Sequence, residues 1–167
     1  MIRSTKYVFT SFCLLAQGVR ATGIVKHHAA IVDPVIEIFT RKKINIVQMM
    51  CPELLFDGFH RGPCGKQKYD IPANRIICRE IAEKVVWMMK LIIESGHSVS
   101  AVVGVDFSPS CAVDKISGNG PGRYQYGQGI YIEELQKLMN RDGIIVPFVG
   151  IQVYQMAETL KMLEQIL

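Results

Sequence analysis

Four short apolar runs rich in β-forming residues recur along this chain, and each is followed by a loop and then by a stretch with helical spacing. The first run spans Lys6 to Cys13, with Tyr7, Val8, Phe9 and Thr10 in it; the others are Ile44 to Met50, Ser98 to Phe107 and Ile144 to Val149. The first helix is expected at Asp33-Pro34, with proline at the first helical position, and runs to about Lys42; a start one turn earlier, near His28, is also compatible. Further helices are expected over Ala73 to Ser95, stopped by Gly96, over Tyr131 to Arg141, ended by Asp142-Gly143, and over Val153 to Leu167. Alternating strands and helices argue for a parallel sheet covered on both faces. The near-continuous apolar run Ala101-Val102-Val103-Gly104-Val105 fits a strand buried on both sides. The expected fold class is therefore α/β, a Rossmann-like three-layer single domain over residues 1–167 with a mainly parallel sheet of about four strands.

Right-handed crossovers bring the C-terminal ends of all such strands to one edge, where open sheets bind ligands. The loops Cys51 to Pro72 and Ser108 to Gly127 leave strands two and three at that edge. Long loops in compact domains are usually functional. Both carry cysteines, and Cys13 ends strand one. Cys13, Cys51 and Cys111 thus each stand just past a different parallel strand and are expected to converge.

The chain has five cysteines, an odd number spread over nearly a hundred residues, which is no small secreted disulfide framework. Free thiols in this pattern suit a soft or borderline metal. Zinc in a structural site usually shows a close cysteine pair, and no Cys-x-x-Cys occurs here. A cubane iron–sulfur cluster tolerates widely spaced ligands because each thiolate binds its own iron. Three ligands leave one iron open to a substrate atom, whereas Cys64 as a fourth would close the cluster and favour electron transfer. Cys78 lies within a helical pattern and reads as a small buried hydrophobe.

The net charge of +4 is mild and scattered. It suits an anionic small molecule or a nucleic acid, but no basic stripe with interleaved aromatics marks an RNA or DNA surface. Arg3 and Lys6 before the apolar run Tyr7 to Ala16 resemble a secretory signal, yet Gln17-Gly18-Val19-Arg20 is a poor cleavage site and the run reads as a core strand. A cytoplasmic protein is expected, with secretion the minority reading. No segment approaches the roughly 20 apolar residues of a membrane span.

The motifs Cys13-Leu14-Leu15, Cys51-Pro52-Glu53 and Ser108-Pro109-Ser110-Cys111, in this order and spacing, resemble the three signatures of the thiouracil desulfurase family. The similarity covers roughly residues 6 to 150 and takes in Gly127-Gln128-Gly129 before a helix. The resemblance implies a four-iron, four-sulfur cluster held by Cys13, Cys51 and Cys111, whose open iron takes sulfur from a thiolated pyrimidine without net redox chemistry. It also implies catalytic roles for Glu53, beside the cluster, and Ser108. The chain departs from the family at Val19, where a second cysteine is common, at Ala112, where a glycine is usual, and in His60-Arg61-Gly62-Pro63-Cys64, where Pro-Arg is usual. These departures leave open another sulfur compound, or a sulfur carrier.

Desulfuration needs a thiophilic centre for the sulfur and water for the carbon, and a carboxylate such as Glu53 can position or deprotonate that water. Ser108 is suited to bond the base ring or a carboxylate. Arg20, Arg61, Lys66 and Arg123 are loop cations at the same edge and are candidates for a substrate phosphate. Gly118-Asn119-Gly120-Pro121-Gly122 is a candidate anion cradle or lid. His27 and His28 are a weak metal signal and otherwise ordinary surface residues. The expected partners are a small thiolated base or nucleotide, possible tRNA among larger substrates, and no membrane. Two other classes compete: a non-enzymatic iron–sulfur or sulfur-carrier protein closed by Cys64, and a zinc-stabilised nucleotide-binding module.

Overall fold

The computed structural model describes residues 3–118 and 123–167. In chain order the elements are β1 (Lys6–Ser11), α1 (Asp33–Arg41), β2 (Asn45–Met49), α2 (Pro52–Asp57), α3 (Lys66–Tyr69), α4 (Pro72–Glu94) and β3 (Ser98–Val105). They continue with β4 (Lys115–Ser117), β5 (Tyr124–Tyr126), α5 (Ile130–Arg141), β6 (Phe148–Ile151) and α6 (Met156–Ile166). β2, β1, β3 and β6 lie side by side in that order, every neighbouring pair parallel. The chain steps outward from β1 to β2, then crosses back to place β3 on the other side of β1. The order of winding therefore reverses between β1 and β3, the position at which open α/β sheets form a crevice.

Side chains alternate across the sheet, and each face has its own core. Phe9, Met49 and Val102 pack with Cys78, Val86 and Met89 of α4 and Leu135 and Met139 of α5. Val8, Ala101, Val103, Val149 and Ile151 face the other way, against Val35 and Phe39 of α1 and Leu163 of α6. Two helices on each face of a four-stranded parallel sheet make the three-layer α/β fold expected from the alternation. Among the described residues no helix is long and apolar enough to cross a membrane.

Four boundaries differ from those read in the sequence, each for a local reason. The first strand ends at Ser11, and a 3-10 turn over Phe12–Leu14 carries Cys13. β3 ends at Val105, and Phe107 then adopts a left-handed φ of 68° that no strand accommodates. β6 runs over Phe148–Ile151 and not Ile144 to Val149. Ile144 caps α5 through its amide on the Met139 carbonyl, Ile145 is 97% exposed, and Pro147 has no amide, so pairing with β3 begins with the Pro147 carbonyl. α6 begins at Met156, after a turn in which the Gln155 amide donates to the Gln152 carbonyl. The helix expected near His28 or Asp33 starts at Asp33.

The two long loops also carry structure. Cys51 to Pro72 holds α2 and α3, and Ser108 to Gly127 holds an antiparallel hairpin of β4 and β5. Of the candidate cradle Gly118-Asn119-Gly120-Pro121-Gly122, all but Gly118 lies outside the described residues.

Candidate metal centre

A cavity of about 190 Å³ opens at the C-terminal edge of the sheet, over the β1–β3 crevice. Cys13, Cys51, Cys64 and Cys111 all line it, together with Glu53, Ser108, Arg20 and Arg61. Three successive strands supply the walls, so parallel topology alone brings together residues nearly a hundred positions apart.

Each cysteine is held by a different local device. Cys13 sits in the 3-10 turn that leaves β1. Cys51 has extended φ and ψ and precedes α2, with Pro52 opening the helix. The Leu54 and Glu53 amides favour its thiolate, although no capping hydrogen bond forms. Cys111 is seated most firmly. Its carbonyl accepts from the Val105 amide at 3.0 Å, and the Ser108 hydroxyl oxygen accepts from the Cys111 and Ser110 amides at 3.0 and 3.2 Å. The first amides of α5, on Ile130 and Tyr131, donate to the Pro109 and Ser110 carbonyls at 3.1 and 3.0 Å.

Glycines make this seat possible. A Cβ on Gly104 would stand 2.2 Å from the Cys111 carbonyl oxygen, and one on Gly129 would stand 2.3 Å from the Ser110 carbonyl carbon and oxygen. Asp106 brackets the far side of the loop. Its buried Oδ1 accepts from the Val113 and Asp114 amides at 3.0 and 3.1 Å, while Oδ2 accepts from Gln152 Nε2 at 3.2 Å.

A short polar chain runs along the cavity wall. Ser108 Oγ donates to Glu53 Oε1 at 3.1 Å, and the other carboxylate oxygen stands 3.5 Å from Arg61 Nε. The Arg61 side chain is only 3% exposed. Its Nη atoms donate to the Val19 carbonyl at 2.6 Å and the Gly58 carbonyl at 2.9 Å, and one approaches Cys51 Sγ at 4.0 Å. The Arg61 carbonyl in turn accepts from the Thr22 amide. Arg61 therefore ties the loop after β1 to the loop after β2 and sets a buried cation between Glu53 and Cys51.

The thiols are electrostatically frustrated. Burial pushes Cys13 up to about 12, with Arg20 opposing and Cys51 and Glu53 adding to the shift. Burial also raises Cys51, and beside it Glu53. It raises Cys111 well above the ordinary thiol value, with Cys51, Cys13 and Glu53 contributing. These three sense one another's charge, and all three become thiolates together only beside a compensating cationic group. Ser11 points the same way: its hydroxyl is buried on the cavity wall with no hydrogen-bond partner at normal distance, which leaves it free for a group bound there. Among the described residues no group of three or more His, Cys, Asp or Glu is arranged to hold a single metal ion. Three thiols brought from three separate strands are the kind of donor set that a group meeting each thiolate at its own iron, as a cluster does, would take.

The remaining candidates are spread more widely. Cys64 is on the same wall, but its thiol turns to the Gly62 carbonyl, 3.6 Å away. Arg20 lines the cavity and donates to Gln17 Oε1 at 3.3 Å. Lys66 lies off the cavity wall, paired with Glu133 and the Gln128 carbonyl. Arg123 is exposed, away from the cavity. His28 faces Asp33 at 4.0 Å, and His27 packs edge-on against Tyr154.

Several residues on the wall carry no motif in the sequence: Ser11, Phe12, Phe107 and Tyr154. Phe107 is the most telling. Its φ of 68° is costly for an aromatic residue, and strain of this kind collects at functional sites. The one available signal was an acid, Asp106, at the end of an otherwise apolar run, since a buried acid needs partners nearby.

No protein-family model matches the chain. It is 23% identical over 145 residues to an uncharacterized protein of Methanocaldococcus jannaschii, an alignment covering 87% of this chain and 85% of that protein. Among solved structures it is similar to a 4Fe-4S-dependent thiouracil desulfidase, TudS, with a TM-score of 0.52 and 20% identity. That superposition covers 96% of this chain and 99% of the other, and it shows a shared fold.

Proposed function

We propose that the chain is a non-redox desulfidase that removes sulfur from a thiolated pyrimidine or a related thiocarbonyl compound. In this reading Cys13, Cys51 and Cys111 hold a four-iron, four-sulfur cluster. The observation that carries it is the convergence of three mutually coupled thiols on one cavity wall, beside a carboxylate that is itself positioned by a serine and a buried arginine. The shared fold with a 4Fe-4S-dependent thiouracil desulfidase supports it.

The overall change is hydrolytic: a C=S group and one water become C=O and hydrogen sulfide, so no oxidant or reductant enters. When bound, the cluster supplies a thiophilic iron for the departing sulfur. The chain's own residues do the rest. Glu53 holds the water and takes its proton, because its carboxylate is the one acid on the cavity wall among the described residues. Ser108 positions that carboxylate by donating to Oε1, and it holds the Cys111 loop through the two amides it accepts from. Arg61 keeps Glu53 turned inward. Arg20 is the half-buried cation on the wall that is not buried in internal contacts, and it serves an anionic or electron-rich edge of the substrate. Phe12, Phe107 and Tyr154 offer apolar faces to a planar ring.

A second reading rests on Cys64, which shares the wall. If it binds the cluster as a fourth ligand, the protein is a non-enzymatic iron–sulfur or sulfur-handling protein. Anaerobic reconstitution with iron and sulfide, followed by incubation with thiolated bases and nucleotides, separates the two. Sulfide released in step with loss of the thiocarbonyl is the expected result. A stable cluster with no turnover of any thiolated base or nucleotide would favour the closed form. Tight zinc binding with no uptake of iron would overturn both.

A further inference from the structure

Burying a charge without a close counter-charge is costly, and Arg61 is buried in that way. Its side chain is 3% exposed, and its Nη donors go to two neutral carbonyls, those of Val19 and Gly58. Its Nε donor is buried without a hydrogen-bond partner, and the Glu53 carboxylate stands 3.5 Å away, shared with the Ser108 hydroxyl. Asp57 is near enough to feel the guanidinium but is bonded to Lys68 and Tyr69 instead. The remaining Nη contact is to Cys51 Sγ at 4.0 Å. A guanidinium facing a neutral thiol gains little there; facing a thiolate, it makes a charge-assisted contact.

The charges on the wall point the same way. Among the described residues, its charged side chains are Arg20, Glu53 and Arg61. A doubly positive four-iron, four-sulfur core held by three thiolates carries one net negative charge, and Glu53 adds a second. Arg20 and Arg61 match both. A fourth thiolate would leave one negative charge unmatched. Arg20 is half-buried and donates to Gln17, so water screens its charge; Arg61 is sealed from that screening. We infer that Arg61 is the fixed counter-charge that makes the open cluster harder to oxidise and so retains its open iron. The inference rests on the cluster reading above and concerns how that site survives. Dioxygen is the oxidant resisted. It takes one electron from the core and becomes superoxide. The triply positive core then sheds its unligated iron as a ferrous ion and leaves a singly positive three-iron core. A cation beside Cys51 opposes the first step, because oxidation adds positive charge next to it and arginine carries its own charge permanently. Arg61 acts through Cys51 and is a positioning residue.

The test uses the full chain reconstituted anaerobically with iron and sulfide, and no readout needs a substrate. A nearby charge shifts every couple of the core in the same direction, so the potential is read on the reversible one-electron reduction. Exposure to air is then followed by loss of the brown absorbance, by ferrous iron captured on a chelator and by the electron paramagnetic resonance signal of a three-iron core. Arg61→Gln should lower the potential by about 59 mV or more, the equivalent of a tenfold shift in a one-electron equilibrium, and hasten iron loss about tenfold. Arg61→Lys keeps the charge but not the fork and should stay near the wild type in both. Glu53→Gln removes the opposing anion and should shift both readouts the other way. An Arg61→Gln cluster with the potential and lifetime of the wild type overturns the inference. So does an Arg61→Lys potential as low as that of Arg61→Gln, which would make Arg61 a tie between loops and nothing more. If Arg61→Gln takes up no cluster, Glu53→Gln decides, and a potential that does not rise overturns the inference. A wild type that takes up no cluster sinks the cluster reading as well, whereas a cluster that turns over thiolated bases and ignores these charge changes sinks this inference alone.

Discussion

Gly129→Ala isolates the cost of seating the third cysteine. Gly129 has φ −73° and ψ 155°, a conformation open to alanine, so backbone strain is absent and only the new Cβ matters. That carbon would lie 2.3 Å from the Ser110 carbonyl carbon and oxygen and 2.7 Å from the Cys111 amide nitrogen. Ordinary carbon contacts lie near 3.5–4.0 Å, so the loop must retreat by about 1 Å. It cannot do so freely. The Ser110 carbonyl accepts from the Tyr131 amide at 3.0 Å, the Cys111 carbonyl from Val105 at 3.0 Å, and the Ala112 carbonyl from Gly129 at 2.9 Å. Overpacking of this kind costs about 1–3 kcal/mol, partly offset by about 0.5–1 kcal/mol from the stiffer unfolded chain. For a chain of this size each kcal/mol lowers the melting temperature by about 2–4 °C, so a fall of up to roughly 10 °C is expected. Metal ligands tolerate displacements of only about 0.2 Å, so iron content after anaerobic reconstitution should fall as well. Gly18→Ala, where nothing lies within 4 Å of the new carbon, is the control and should keep full iron content and melt no lower than the wild type. Wild-type melting and full iron content in Gly129→Ala would refute the seating argument.

Three further outcomes follow from the site. Glu53→Gln keeps the Ser108 contact but cannot take a proton; it should fold, bind iron normally and lose about 10²–10⁴-fold in sulfide release at saturating substrate. Normal turnover with an intact cluster would remove Glu53 from the chemistry. Cys64→Ser should retain the brown absorbance of the reconstituted protein, whereas Cys13→Ser, Cys51→Ser and Cys111→Ser should each lose or cripple it; equal loss from all four would show a closed cluster. In the apoprotein the raised thiol values favour the protonated form in the fold, so the unfolded chain binds fewer protons above the ordinary value of 9.0. Stability should therefore fall as pH rises from about 9 toward 12, the value to which Cys13 is pushed, and replacing Cys13, Cys51 and Cys111 by serine should flatten that fall in thermal melts.

The layer architecture was legible in the sequence because strand and helix periodicity are local properties. Ala101 to Val105 reads as a doubly buried strand from its own composition, and so it is. The edge at which Cys13, Cys51 and Cys111 stand followed from the parallel order alone. Boundaries failed where one residue's backbone chemistry overruled the apolar pattern: Pro147 delayed β6, and the left-handed φ of Phe107 closed β3. What no window of sequence contained is the set of contacts between loops. Arg61 reads in the sequence as a loop cation for a substrate phosphate, yet tertiary packing buries it between the Val19 carbonyl and Glu53. Lys66, drawn to Glu133 on α5, lies off the cavity wall for the same reason. Ser11 and Tyr154 reach the wall only because strands distant in sequence lie side by side. Sequence spacing specifies which face of an element a residue occupies, whereas the partner across a loop depends on how whole elements pack, which is decided only when the three layers close.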